Sequence, residues 1–548
     1  MSAKFLRCDK LLFACFLVGS FFANVCEVSA QDQNSGTTLQ PSKAVAASDS
    51  PVVLANATQV PDEAGLAGVA SQEYQTAPGS EIPGSGYQAG DYLYSRTDRA
   101  ATRRYNTLVE NYNVPAIGPR AYANYSPSLY YGTDSDYQTT PGQPLYLRLS
   151  PPVSPTEEDD GRFVLRGPVP GSYLVPGTST AFRFSGFVRM GANYNFDQIR
   201  TPDLFVTNAI PVPQDPDLPN QNVNFSARPT RLSLDTWTPT SMDDLAVHTF
   251  IQFDFLSDNP PAGGSAARPR LRLAFIDLGY FRIGQDTTVF MDPSSFPRTA
   301  DFQGPNGVVN SRQGLCRMTL PLTERVFFAS AVEQPFSDIT TNATGINIQD
   351  SPDFTNHLRF ESDLLRFQTA TILRSIGYRA TGQSVDRELG WGVNITSNFH
   401  PWAACFGTNP LRDADPGPLT RSRVILQYAT GSGIGRYFQD SSGQGLDGAI
   451  DASGQFRALD ISGWTTAYEQ WLSKKWLANF VCSGLKASGT NAMAANTFNN
   501  STYVAAGLWW IPVGNASIGA EYLWGERENL DGQSRAADRL QTAFVYSF

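Results

Sequence analysis

The sequence predicts an all-β protein: a transmembrane antiparallel β-barrel of about sixteen strands, preceded by a long disordered extension. Three observations carry this. Apolar and polar residues alternate with period two over stretches too long for most globular strands. The segments joining those stretches alternate between brief and long, as the turns and loops of a membrane barrel do. Beyond residue 30 no apolar run approaches the roughly 20 residues that a spanning helix needs. With 41% hydrophobic, 12% aromatic and only 17% charged residues in 548, and a mean hydropathy of −0.26, the chain has core-forming material but a sparsely charged surface.

Residues 1–30 combine a basic start (Lys4, Arg7, Lys10), an apolar stretch over 11–25 and a small-residue exit at Val28-Ser29-Ala30. This is the layout of a secretory signal peptide cleaved before Gln31, and the apolar stretch is shorter than the 17 to 25 residues of a membrane anchor. Cys26 follows Val25 rather than a small residue, which argues against lipidation. Residues 31–180 are rich in Pro, Gly, Ser, Thr, Ala and Tyr, with a net charge of −6. Few aliphatic residues recur there at helical or strand period, so the segment cannot offset its ordering entropy and is expected to be mostly disordered; 101–111 is its one candidate helix.

The barrel is expected over 181–548. Its first strand is legible from Phe182 to Phe196, and alternation returns over 247–255, 271–275, 358–360, 424–428 and 540–548. Brief links at 239–245, 277–278, 321–323, 362–364, 400, 473 and 511–514 interleave with long polar ones at 197–223, 257–267, 287–311, 335–354, 411–420, 487–497 and 528–535. At roughly 23 residues per strand and connector, 368 residues give about sixteen strands, and both ends at the periplasmic rim require an even number. Eighteen is the alternative, should Gly435-Arg436-Tyr437-Phe438 form a strand rather than fold inside a loop. The closing Phe544-Val545-Tyr546-Ser547-Phe548 looks like the terminal strand by which bacterial barrels are recognised for assembly.

Residues 31–548 carry a net charge of −11, which excludes a generally basic nucleic-acid binder. Cys316, Cys405 and Cys482 are too few and too far apart for a disulfide framework or a zinc site, and read as small apolar strand residues. His248, His357 and His400 stand isolated, and no Gly-x-Ser-x-Gly elbow occurs. Gly431-Ser432-Gly433-Ile434-Gly435 does not open a helix after a buried parallel strand, so it is not a phosphate loop. No enzyme, cofactor or metal is expected.

A barrel of about sixteen strands encloses an aqueous channel, whereas eight strands fill their interior with side chains. If Leu271, Leu273 and Phe275 face lipid, strand parity turns Arg268, Arg270 and Arg272 inward. The same parity places Arg183, Arg189, Arg231, Arg282, Arg359, Arg366, Arg423 and Arg539 inside, against the lumen acids Asp235, Asp254, Glu333 and Glu361. The barrel region has 26 Arg but 3 Lys, and guanidinium groups hold carboxylates bidentately, so small anionic solutes bearing carboxylates are the expected cargo. The alternative is that these arginines pair with loop carboxylates and hold the wall together. The net charge of −5 over this region does not decide against anions, because many of the acids fall in connecting segments, where salt screens them. The segment 287–307 mixes apolar residues with turn formers, which suits a loop folded into the lumen; Asp292, Arg298 and Asp301 would then set the constriction.

The run Arg231-Leu232-Ser233-Leu234-Asp235-Thr236-Trp237-Thr238-Pro239-Thr240 resembles the DcaP-like porins. So do Gly284-Gln285-Asp286-Thr287 leading to Asp301-Phe302-Gln303-Gly304-Pro305, and Glu521-Tyr522-Leu523-Trp524-Gly525-Glu526-Arg527-Glu528-Asn529 before the last strand. The resemblance covers 181–548. It implies a homotrimeric channel among outer-membrane lipids that passes dicarboxylates and related small anions; the extension, which lacks apolar periodicity and precedes the first strand, is expected in the periplasm. Family members carry a coiled-coil N-terminal segment, whereas residues 31–180 show no heptads. The rival reading is a structural barrel that tethers the extension to the envelope.

Overall fold

A computed structural model describes residues 169, 171–175, 177–240, 246–257, 267–340, 345–408 and 417–548. The expected signal peptide and nearly all of the extension lie outside the described residues. Sixteen strands run in chain order: β1 Ala181–Asn195, β2 Arg231–Pro239, β3 Ala246–Asp254, β4 Arg270–Leu278, β5 Phe281–Thr287, β6 Arg312–Pro321, β7 Val326–Glu333 and β8 Asp353–Glu361. They continue with β9 Leu365–Ala380, β10 Asp386–Phe399, β11 Arg423–Ser432, β12 Asp460–Ser473, β13 Trp476–Ala487, β14 Phe498–Val513, β15 Ala516–Asn529 and β16 Ser534–Ser547. Each pairs antiparallel with the next, and β16 pairs with β1 from Phe187↔Ser547 to Asn195↔Arg539, which closes the barrel. Closure leaves no edge strand among the sixteen, so ladder bonds along the wall satisfy one another. The expected sixteen strands are therefore present, and Gly435–Tyr437 is a 3-10 turn inside a loop rather than part of an extra pair.

The wall is uneven in height. Strands β2 to β8 have 7–10 residues, whereas β9, β10 and β12 to β16 have 12–16. β1 bridges the two regimes. Its first half pairs with β2, and its second half with the separate short strand Asn222–Ser226.

One rim carries tight turns at 279–280, 322–325, 362–364, 474–475 and 514–515. It also carries the segment 400–422, which holds the short helix Pro401–Phe406. The sequence reading divided that segment into a brief link at His400 and a long loop at 411–420, and took Cys405 for a strand residue. The helix removes the intervening strand, and Pro401 at its first position explains why: its ring presets the helical φ while its missing N–H costs nothing there. At the opposite rim long loops prevail, but 381–385 and 530–533 are short.

Parity holds along most of the wall, with irregularities in β12 and β14, and its break in β4 bears on the arginines. Gln252 pairs with Leu273 and Phe253 with Leu271, so Arg272 is the extra residue of a β-bulge. Leu271 faces outward as expected, but beyond the bulge the faces exchange. Leu273 and Phe275 are buried with Phe250 on the inner side, and Ile276 is exposed.

The barrel unit also begins earlier than residue 181. Tyr173–Leu174 pairs with Phe182 and Ala181, and Val169 and Leu174 pack on Ala181 and Trp237. A truncation beginning at residue 181 is therefore expected to lose about 3 kcal/mol of burial compared with one beginning just before Val169. Thermal unfolding of the two truncations, followed by gel migration, checks this. Equal midpoints would mean the segment contributes nothing.

Candidate functional site: the barrel lumen

The inner surface is built by strand parity and then covered in part by loops that fold inward. The segment 288–311 is buried almost throughout and is held by inward side chains of strands from β7 to β15. Glu333 of β7 accepts the Val289 N–H at 2.8 Å, and Asn394 of β10 donates to the Phe290 carbonyl at 2.7 Å. Glu469 of β12 accepts the Arg298 N–H at 2.7 Å. Glu521 of β15 accepts those of Ala300 and Asp301 at 2.7 and 3.0 Å. Ser483 of β13 takes the Gly307 N–H at 3.0 Å. Gly307 sits so close to the wall that a Cβ there would stand 2.3 Å from the Gly484 carbonyl oxygen, which is why only glycine fits. A loop inside a barrel must satisfy its backbone polar groups without a ladder, and these carboxylates and amides do so.

Two further loops cover it. From 433–459, Ile434, Tyr437, Phe438 and Leu446 join Phe290, Val308 and Val309 in one apolar cluster inside the mouth of the barrel. From the connection after β1, Phe205 and Ile210 pack on Tyr503 and Leu523. Asp440 links the two loops by accepting the Thr207 N–H and hydroxyl, both at 2.7 Å.

Burial pushes the Asp440 carboxyl up to about 6 from an ordinary 3.8. A carboxyl raised in the folded loops stabilises them fully below its ordinary value and loses that contribution as pH rises through about 6. The loop packing is thus expected to be more resistant to proteolytic nicking at pH 4 than at pH 7. Asp440→Asn should flatten that dependence, and an unchanged pH profile in the variant would assign it to another group. Asp301, also buried, is pushed in the same direction.

The predicted arginines fall into distinct settings. Arg270 and Arg272 share Asp254, at 2.7 and 2.8 Å, so one acid does serve two members of the expected ladder. Arg268, the third, lies outside β4 and is exposed, because the strand begins two residues later. Arg282 is clamped between Asp277 (2.6 Å) and Asp286 (2.8 Å), its guanidinium 3.6 Å from the centroid of the Phe275 ring. Arg359 pairs with Glu361 at 2.9 Å and Arg423 with Glu469 at 2.6 Å. Arg189 donates to the Ala300 carbonyl, and Arg231 lies between the rings of Phe187 and Phe302.

The three loop residues expected at the constriction hold the loop's turns and tie it to the wall and to the loop after β1. Asp292 accepts from Ser294, Ser295 and Thr396. Although burial raises its carboxyl, the Arg366 charge and the Ser294 and Thr396 bonds outweigh that and hold it below the ordinary value. Arg298 lies 4.6 Å from the centroid of a Trp509 ring. Asp301 accepts the N–H groups of Phe205, Gln303 and Gly304, which fixes the turn that follows it.

Sequence reasoning missed Arg317, which shares Asp286 with Arg282 at 3.1 Å, and Arg374, which joins Asp353 to Asp447. It also missed Asp277, Asp286, Glu469 and Glu521 as inward acids. Parity would have found Arg317, since Gln313 and Thr319 share its face; Asp277 needed the bulge. His248 bridges Asp235 (3.0 Å) and Asp277 (2.9 Å), so acids and bases alternate across the inner face of β1 to β6.

The lumen is not evenly filled. Inward polar side chains of β13 to β15 are sealed, Ser483 at 0%, Ser501 at 2% and Glu521 at 1% exposure. Those of β4 to β6 are buried slightly less completely, Arg272 at 5%, Asp277 at 6%, Arg282 at 7% and Arg317 at 6%. Among the described residues no group of His, Cys, Asp and Glu is placed to hold a metal ion.

This architecture has known relatives. Residues 174–329 match the model of the DcaP outer membrane protein family. The outer membrane channel DcaP of Acinetobacter baumannii superposes with a TM-score of 0.56 at 18% identity, covering 67% of this chain and 97% of that one. An anion-selective porin from Comamonas acidovorans covers 67% of this chain and 100% of its own, at 9% identity and a TM-score of 0.45. No curated protein sequence matches the chain. The family match over 174–329, together with the closed sixteen-stranded barrel, bears out the resemblance read in the sequence: the chain is similar to the DcaP outer membrane proteins and has the fold of an outer-membrane porin barrel.

Proposed function

We propose that the barrel admits small anionic solutes, dicarboxylates among them, along the inner face of β4 to β6. The observation that carries this reading is that the low wall sets Arg272, Arg282 and Arg317 close together on its inner face, each paired with an acid of the same wall. Carboxylates passing there compete with Asp254, Asp277 and Asp286 for guanidinium forks that already hold carboxylates. Low-dielectric walls focus the field of such a cluster even in an acidic protein. Asp292, Arg298 and Asp301 act here by fixing the loop that narrows the lumen.

The barrel lies among outer-membrane lipids as a homotrimer, and the low wall supports the trimer. A strand of seven residues such as β5, tilted by about 40°, spans roughly 18 Å, short of an apolar band of about 25 Å. That side is better covered by protein than by lipid. Residues 1–30 are removed as a signal peptide, and 31–168 extend into the periplasm.

The reversal potential of the purified protein in a potassium chloride gradient tests the proposal, with anion preference expected. A cation preference would overturn it. Dense loop packing in the mouth favours one rival, a barrel that merely anchors the extension, and that rival requires the absence of any unitary current.

A further inference from the structure

Phe302 follows the turn fixed by Asp301 and presents a half-buried ring to the arginine wall. The guanidinium carbons of Arg189, Arg231 and Arg272 lie 5.1, 5.3 and 6.0 Å from its centroid. These arginines come from β1, β2 and β4, so three strands direct cations at one ring. On its other side the ring packs against the apolar inner cluster that contains Phe187, Trp471, Trp509 and Ile511. The ring is rigidly aimed. Glu521 grips the two N–H groups before it, and the Asp301 carboxylate accepts the N–H groups of Gln303 and Gly304 after it.

We propose that Phe302 is a positioning residue for anion selection: its ring gathers Arg189, Arg231 and Arg272 into one desolvated cationic cluster that an entering carboxylate meets as a unit. The proposal rests on the anion-channel reading and deepens it. Three guanidinium groups this close repel one another. Asp254 already pairs with Arg272, and a further carboxylate placed among them would cancel more of the charge that attracts the solute. An aromatic face offers attraction without a net charge, and it excludes water from the side facing the apolar cluster. The cluster thereby stays positive and stays together. An anion with two carboxylates can engage two of its members, whereas one with a single carboxylate cannot, so the arrangement favours dianions. No other aromatic ring of the loop is shared by three arginines among the described residues.

The test uses full-length protein in planar bilayers, with Phe302→Leu and Phe302→Met as variants that keep bulk but lack a ring, and Phe302→Trp as the conservative control. Block of the potassium chloride current by succinate is compared with block by acetate. Both ringless variants are expected to need on the order of tenfold more succinate for half-block, with little change for acetate and little loss of unitary conductance. The Trp variant should behave as the parent does. Wild-type succinate block and reversal potential in both ringless variants would overturn the proposal. If the parent protein itself shows no anion preference, the failure lies instead with the channel reading on which this rests.

Discussion

Replacing Arg270 and Arg272 together by Ala is expected to abolish most of the anion preference. Both guanidinium groups are bound to Asp254, which is itself fully buried on the inner face of β3. Removing them subtracts two positive charges from the wall and uncovers a negative one, so the local change is larger than the loss of either arginine suggests. The reversal potential in a salt gradient should move to zero or past it. Arg272→Ala alone should account for more of the shift than Arg270→Ala, because Arg272 is almost buried while the Arg270 side chain is 37% exposed and more strongly screened. The fold should survive. Register at this point is set by the bulge and by backbone pairing with β3, though a buried acid left without its partner costs about 3–5 kcal/mol. Asp254→Asn, which keeps both arginines, should move the potential the other way. A double mutant with the parental potential would make these arginines purely structural and remove the conducting face assigned to β4.

The second large effect concerns the inserted loop. Glu521→Ala takes the acceptor from the Ala300 and Asp301 N–H groups and from the Asn479 side chain. Each buried donor left unsatisfied costs about 1–3 kcal/mol, enough to release the segment around Ala300 while Glu333 and Asn394 still hold its first part. Unitary conductance is expected to rise severalfold with increased open-channel noise, and the loop should become a site of proteolytic nicking. Glu521→Gln retains one carbonyl acceptor and should lie between. An independent route to the same state is Gly307→Ala, whose added methyl collides with the Gly484 carbonyl rather than removing a bond. If both variants conduct as the parent does, the loop does not limit the pore.

The barrel, its strand number and the inward direction of most arginines were legible because each depends on a local rule. A period of two assigns a face to every residue of a strand, and lipid on one side forces the apolar set outward, whatever the rest of the chain does. Hence Arg189, Arg231 and Arg359 could be assigned from their own neighbours. The sequence reading failed where one residue breaks that count. The bulge at Arg272 turned Leu273 and Phe275 inward, and only the pairing partner in β3 reveals it.

What fills the lumen was decided by tertiary structure alone. The mixed composition of 287–307 suggested an inward fold, but its path depends on Glu469 and Glu521, which bind it from 171 and 221 residues away. Nothing in the sequence near Glu521 distinguishes a carboxylate that receives a loop from one that faces water. Likewise 197–223 read as a long polar loop, and Gly435-Arg436-Tyr437-Phe438 as either an extra strand or part of a loop, yet Tyr437, Phe438 and Phe205 find their burial against strands and loops distant in the chain. Alternation fixes which way a side chain points; whether that space holds water or another segment is settled only when distant backbone polar groups find acceptors inside the barrel.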